Sequence, residues 1–248
     1  MLAWHKKNPF KVVLTVGDNI YGSFLGFRNG GSKTLFAEKF DHYYKPLLEK
    51  GVKFFATLGN HDMETNSGKD EIADRSRFNI LSDKGYYSFS TDPNLITFFA
   101  LHTNNLVGGQ DDPAQLVWLR TALSESKSKW KIVYGHHPLY TAPGKHRVDM
   151  RMRKLVEPVL VKNDVRIVFA GHNHFYSRMK PQQSITYFVT GGGGRDLKRP
   201  RVSRETEVIA RAHHFMYIEV TENELRFWSI DSKGNFLDKG SLPARKTP

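Results

Sequence analysis

The sequence predicts an α/β domain with alternating strands and helices and a second sheet packed on the first. Three observations predict it. Short apolar runs rich in Val, Ile and Phe recur, each closed by a glycine. Amphipathic stretches at helical spacing lie between them. The last third changes to an alternation of apolar and polar residues, the mark of antiparallel hairpins.

In chain order, "KVVLTVGDNIYG" supplies a strand over 12–16, ended by Gly17 and followed by Asp18. "SKTLFAEKFDHYYKPLLEKG" reads as a helix with Gly51 near its end. "VKFFATLGNHDM" gives a strand over 54–58, then Gly59, Asn60, His61 and Asp62. "DDPAQLVWLRTALSESKSK" reads as a helix with Asp112 as N-cap and Pro113 at the first position. Its apolar stripe is Leu116, Leu119, Ala122 and Leu123. "WKIVYGHHPLY" is a strand over 132–134, then Gly135, His136 and His137. "MRMRKLVEPVLVKN" is a helix that Pro158 is expected to kink or interrupt. "VRIVFAGHNH" is a strand over 167–170, then Gly171, His172 and His174. "SITYFVTGGGG" is a strand running into a turn; without Lys-Ser/Thr its glycines are no P-loop. Hairpins turn at Glu222-Asn223 and Lys233-Gly234.

The composition bounds the function. The chain has 248 residues, 39% apolar, with no linker-like break, repeat or low-complexity tract, so one domain over 1–248 is expected. It has no apolar run long enough to span a bilayer, and residues 1–10 lack a signal-peptide pattern. Absence of cysteine excludes disulfides and thiolate metal sites, so any metal needs oxygen and nitrogen ligands. The net charge of +12 suits anionic substrates or a merely solvated surface. The densest basic stretch, "RDLKRPRVSR", has no interleaved aromatics and reads as an exposed loop, which argues against nucleic acid as a partner. Compartment and oligomeric state are not legible.

The four strand-glycine turns share one layout. After each glycine stands a residue able to ligate a metal: Asp18, Asn60, His136, His172. Open α/β sheets build their sites at the carboxyl ends of strands, so four such ends can converge on one crevice. One turn of this kind is unremarkable; four alike are not.

With "GDNIY", "GNHD", "GHHP" and "GHNH" in that order, the chain resembles the calcineurin-like metallophosphoesterases, and within them the purple acid phosphatase branch. The Asp-x-x-Tyr spacing of Asp18 and Tyr21 is the most discriminating detail. The resemblance implies a four-layer αββα sandwich, two mixed β-sheets flanked by helices, and a dinuclear metal centre. Asp18 would bridge both metals, Asn60, His136 and His172 would complete the divalent site, and Tyr21 and His174 would bind ferric iron. The implied pair is iron with zinc, manganese or a second iron. His61 would contact phosphate or protonate the leaving group; Asp62 either orients His61 or caps its turn. His146 would be a second substrate histidine, in an offset register, against the reading of a solvated loop residue. His137 is assigned to packing or the outer shell. His5, His42, His102, His213 and His214 match no family motif.

The family's opening block, an Asp-x-Gly on the first strand, has no counterpart, because no Asp precedes Asp18. The abrupt start, in which "MLAWHKKNPF" reads as the tail of a helix, favours a piece of a longer protein lacking that strand. The other explanation is a short protein with a weakened second metal site. The expected function is hydrolysis of small phosphomonoesters by metal-bound hydroxide. Two rivals stand beside it: a phosphodiesterase or nuclease of the same superfamily, and an impaired phosphate-binding protein.

Overall fold

The structure is a computed structural model and describes residues 1–22 and 31–244. A short helix α1 (Leu2–His5) leads into strand β1 (Val12–Val16). Helices α2 (Gly31–Phe36) and α3 (His42–Leu48) flank a π-helical turn over Ala37–Asp41, an interruption the sequence did not announce. Then follow β2 (Lys53–Thr57), α4 (Lys69–Ala73), β3 (Tyr87–Asp92), β4 (Ile96–Ala100) and α5 (Pro113–Glu125). The chain continues through β5 (Trp130–Gly135), α6 (Met150–Lys162), β6 (Ile167–Ala170), β7 (Tyr176–Met179), β8 (Thr186–Thr190) and β9 (Thr206–Ala210). It closes with β10 (His214–Val220), β11 (Glu224–Asp231) and β12 (Phe236–Pro243).

Among the described residues the strands form three hydrogen-bonded sets. A mixed seven-stranded sheet runs β3-β4-β5-β6-β8-β7-β9, β1 and β2 make a parallel pair, and β10-β11-β12 make an antiparallel sheet. The two hairpin turns fall where expected, and Phe227 of β11 packs edge-on against Phe188 of β8 at 5.0 Å. Phe10 and Trp4 at the start of the chain lie against Tyr217, tying α1 to that three-stranded sheet.

Both central strands of the large sheet, β5 and β6, are covered on two faces, as their unbroken apolar runs predict. Ile132 and Tyr134 point into one core with Phe54, Phe169 and Phe188. Val133 points the other way, into a second core with Leu119, Leu123, Val156 and Leu160 of the covering helices. Each of those four side chains is fully buried, which contributes roughly 1.5–3 kcal/mol apiece. Strand β1 departs from the expectation. It pairs only with β2 among the described residues, and every residue in it is half-buried.

The expected cap of α5 forms, and α6 has one that the sequence reading did not name. Asp112 accepts from the Gln115 N–H at 2.9 Å, and Asp149 caps α6 through Arg151 and Met152. Pro158 does not interrupt α6, which runs unbroken over thirteen residues. Pro158 is on the exposed face, where water can take the hydrogen bond its missing N–H would have supplied.

Register sets the site. In the parallel β1/β2 pair, Val16 lies opposite Thr57, so Asp18 and Asn60 emerge side by side. In the parallel β5/β6 pair, Gly135 lies opposite Ala170, so His136 and His172 do the same.

Candidate metal centre

The two strand pairs meet end to end because their glycines permit it. Gly17 has φ +79, and a Cβ there would sit 2.7 Å from both the Gly59 nitrogen and His136 Nδ1. A Cβ on Gly59 would lie 2.2 Å from the Asp18 nitrogen. Asp18 and His172 themselves hold positive φ, 52° and 63°, in the left-handed region that non-glycine residues seldom occupy. Such backbone strain persists where the surroundings fix it, and it clusters at functional sites.

The donors of four strand ends converge. His136 Nδ1 donates to the Val16 carbonyl at 2.9 Å, which leaves Nε2 as a bare lone pair. That Nε2 lies 3.1 Å from Asn60 Oδ1, 3.1 Å from His172 Nδ1 and 3.4 Å from Asp18 Oδ2. His172 Nδ1 is also 3.1 Å from Asn60 Oδ1. A single proton, on His172 Nδ1, could serve only one of these contacts. The others set acceptor against acceptor in a buried place, where His136 is 1% and Asp18 6% exposed. A cation between them removes that conflict, so the donor set fits a metal.

A second set shares Asp18. The Tyr21 hydroxyl donates to Asp18 Oδ2 at 3.0 Å and lies 3.1 Å from His174 Nε2. His174 Nδ1 donates to the Asp196 carbonyl at 2.9 Å, so its Nε2 also presents a lone pair. Burial, then the Asp18 charge, pushes the Tyr21 phenol far up, so a phenolate there needs a compensating cation. All six residues that the sequence nominated as ligands are therefore brought together: Asp18, Tyr21, Asn60, His136, His172 and His174.

The surrounding residues sort less simply. His61 rests its ring on Tyr21 at 4.6 Å, and its Nδ1 pairs with Glu64 Oε1 at 3.0 Å. Asp62 does not orient it. That carboxylate is fully buried and accepts from the Gly59 and Ile20 N–H groups and from Asn19 Nδ2, so it caps the turn. Burial pushes Asp62 up to about 7, with the Asp18 charge adding to the shift and the backbone donors opposing it. The His146 ring lies 4.1 Å from that of His172, so it faces the site rather than open solvent. His137 is nearer than its outer assignment suggested. With His136 and His172 it forms a cluster whose ligand atoms all lie within 4.8 Å, while its Nδ1 is engaged by Thr103 Oγ1 at 2.9 Å.

The sequence reading passed over several residues that hold the site. Glu64 carries the signal of an i, i+3 partner to His61. Asn173, between the two histidines, accepts from the His146 N–H and donates to Thr141, fixing the turn that places His146. Asn104 donates to the Leu58 and Gly59 carbonyls, and nothing in its sequence context announces that.

The calcineurin-like phosphoesterase family profile matches residues 1–176. The chain belongs to that family. Along nearly its whole length this phosphoesterase is of the purple acid phosphatase type. It is 27% identical to purple acid phosphatase 7 of Arabidopsis thaliana, over 97% of this chain and 78% of that protein. It is 25% identical to tartrate-resistant acid phosphatase type 5 of Rattus norvegicus, over 95% and 80%. Among solved structures it superimposes on the purple acid phosphatase PPD1 of yellow lupin with a TM-score of 0.77 at 18% identity, covering 96% of this chain. It spans about half of the lupin chain, 47%. The fold also matches GAP50, the anchor in the inner membrane complex of Plasmodium, with a TM-score of 0.75 at 15% identity, covering 98% and 82%. Likeness of fold therefore does not assign chemistry; the side chains must.

In this phosphoesterase the imidazoles are tuned to stay neutral. Burial, then neighbouring imidazoles, pushes His172 down to about 2, and burial with His136 pushes His137 to about 3. Burial lowers His136 as well. Their lone pairs stay available in mildly acidic solution.

Proposed function

We propose that this phosphoesterase hydrolyses small phosphomonoesters at a dinuclear metal centre shared through Asp18. The observation that carries the reading is the Asp18 carboxylate between two lone-pair sets, Asn60–His136–His172 on one side and Tyr21–His174 on the other. Asp18 would bridge the two cations. Oxygen and nitrogen donors of this mixture suit iron, zinc or manganese, and a phenolate favours ferric iron at the Tyr21 position. Bound there, the pair supplies Lewis acidity, which makes water a nucleophile near neutral pH and neutralises phosphoryl oxygens.

The chain's own residues do the rest. His61 is positioned by Glu64 through Nδ1, which directs Nε2 outward as the proton donor to the departing alkoxide. His146, held beside His172 by Asn173, contacts the phosphate. The half-buried Tyr21 and His174 rings wall the crevice, and Asp62 locks the β1 and β2 turns together through three donors.

Loading the protein with Fe, Zn or Mn and assaying p-nitrophenyl phosphate tests this reading. Turnover that tracks metal content supports it. A folded, metal-loaded sample with no turnover under any of these metals overturns it. A second reading, a phosphate-binding protein with a depleted centre, draws on the Tyr21 set, to which the described residues supply three donors and no fourth. One ion per chain with phosphate binding but no hydrolysis is its signature. Turnover of bis-p-nitrophenyl phosphate above that of the monoester would move the assignment to a phosphodiesterase.

A further inference from the structure

The basic stretch that the sequence read as an exposed loop lies across the mouth of the candidate centre. The Lys198 N–H donates to the His174 carbonyl at 2.9 Å, the Asp196 carbonyl accepts from His174 Nδ1, and the Arg201 N–H donates to the Pro143 carbonyl at 2.8 Å. These bonds seat the loop over His174 and over the turn that carries Lys145 and His146. The Arg195 guanidinium lies over the Tyr21 ring, 5.0 Å from its centroid. Arg195 and Lys198 thus stand beside Tyr21 and His174 on the rim, and the charges of Lys145 and Lys198 both reach the His146 ring. Asp196 is the acid among them, paired with Lys198 and 3.3 Å from Arg195. One carboxylate cannot neutralise three cations, and its side chain is 59% exposed, so an incoming anion can displace it.

We propose that Arg195 and Lys198, with Lys145, form a second anion subsite beside the reacting phosphate, and that the preferred substrate carries a second phosphate group. This rests on the hydrolytic reading above for the reaction, but not for the binding. The simplest such substrate is inorganic pyrophosphate. Water adds to one phosphorus, the bridging P–O bond breaks, and the bridging oxygen leaves with the electron pair and takes a proton, giving two orthophosphates. The charge on the departing phosphate is what the guanidinium and ammonium groups neutralise, and a neutral alcohol leaving group makes no use of them. Charged groups this exposed act over a short range in salt, so the subsite discriminates by the second phosphate and not by overall attraction.

The test compares metal-loaded wild type, R195Q/K198Q, K198Q and K127Q/K129Q. The last pair removes the same charge from exposed lysines before β5, at the opposite end of the strand that leads to His136. Titration calorimetry gives affinities for pyrophosphate and orthophosphate, and kcat/KM is measured for pyrophosphate and p-nitrophenyl phosphate. The pyrophosphate-to-orthophosphate affinity ratio is expected to fall about tenfold in R195Q/K198Q, less in K198Q, and not in K127Q/K129Q. The subsite is overturned by a wild-type ratio near one, by a ratio that the rim variants leave unchanged, or by an equal fall in the distant pair. Monoester turnover with any of those results leaves the hydrolytic reading standing alone. The expected ratios without any turnover leave the subsite standing and remove the hydrolytic reading. Failure of both anions to bind removes both.

Discussion

The His61 backbone N–H donates to Asp18 Oδ1 at 2.9 Å, so the turn after β2 holds the carboxylate that ends β1. The other oxygen, Oδ2, is left to face Tyr21 and His136. Asn at position 18 keeps the shape and tolerates the left-handed backbone, but turns an acceptor toward those groups into a donor or a neutral oxygen. D18N should therefore fold, lose most bound metal by elemental analysis, and lose about 10³-fold or more in kcat, the scale of several kcal/mol of charge stabilisation. Full metal content in D18N would remove Asp18 from the centre.

The contact of His61 Nδ1 with Glu64 predicts a dependence on the leaving group. An alkyl phosphate releases a poor leaving group that needs a proton, and p-nitrophenolate does not. H61N should cut kcat about 10²–10⁴-fold on an alkyl phosphate and far less on p-nitrophenyl phosphate. E64Q, which leaves the ring but loosens its hold, should show the same bias at about a tenth of the effect or less. Equal losses on both substrates would mean that His61 binds phosphate and donates no proton.

The donor set was legible because each member follows a glycine at a strand end, and parallel strands in register deliver their ends to one level. Asp18, Asn60, His136 and His172 needed no more than that. Tyr21 and His174 were nominated as ligands by the resemblance to the purple acid phosphatases, through the Asp-x-x-Tyr and His-x-His of the same turns. What escaped was decided by contacts between turns. Asp62 and Glu64 are both carboxylates near His61, and only the path of the short helical turn makes Glu64 the partner and buries Asp62 against the backbone of another strand. The half-burial of β1 was illegible for a related reason. Its apolar run looks like those of β5 and β6, and the number of neighbours it has is not written in its own residues.

Among the described residues neither carboxyl oxygen of Glu71 has a hydrogen-bond partner, and the side chain is fully buried in α4. Burial, then the Asp62 charge, pushes its carboxyl up to about 8 from an ordinary 4.5. Between those values the folded protein holds a proton that the unfolded chain releases. Stability therefore falls as pH rises across this window and levels off above it. E71Q has no such titration, so its stability relative to wild type should rise by roughly 1–4 kcal/mol from pH 5 to pH 8.5, read by denaturant unfolding. The same difference at both pH values would show that Glu71 is ionised in the fold or finds water there.

His214 predicts the opposite slope. Its Nδ1 donates to the Ala212 carbonyl at 2.9 Å, its Nε2 lies 3.0 Å from Thr190 Oγ1, and it is 6% exposed. Burial pushes it down to about 4 from 6.5. Below pH 6.5 the unfolded chain gains a proton that the folded ring refuses until about 4. Its contribution is thus complete above 6.5 and is lost as pH falls through that interval. Burial likewise lowers His102, so acid weakens the chain even where no metal ligand titrates. H214Q should be less stable than wild type at pH 7.5, because a ring packed on Tyr176 at 5.3 Å is lost. Its deficit should shrink by about 2–3 kcal/mol between pH 7.5 and pH 4.5 in chelator-treated protein. Parallel stability curves for the two proteins across that range would mean that the buried His214 ring takes up its proton at the same pH as in the unfolded chain.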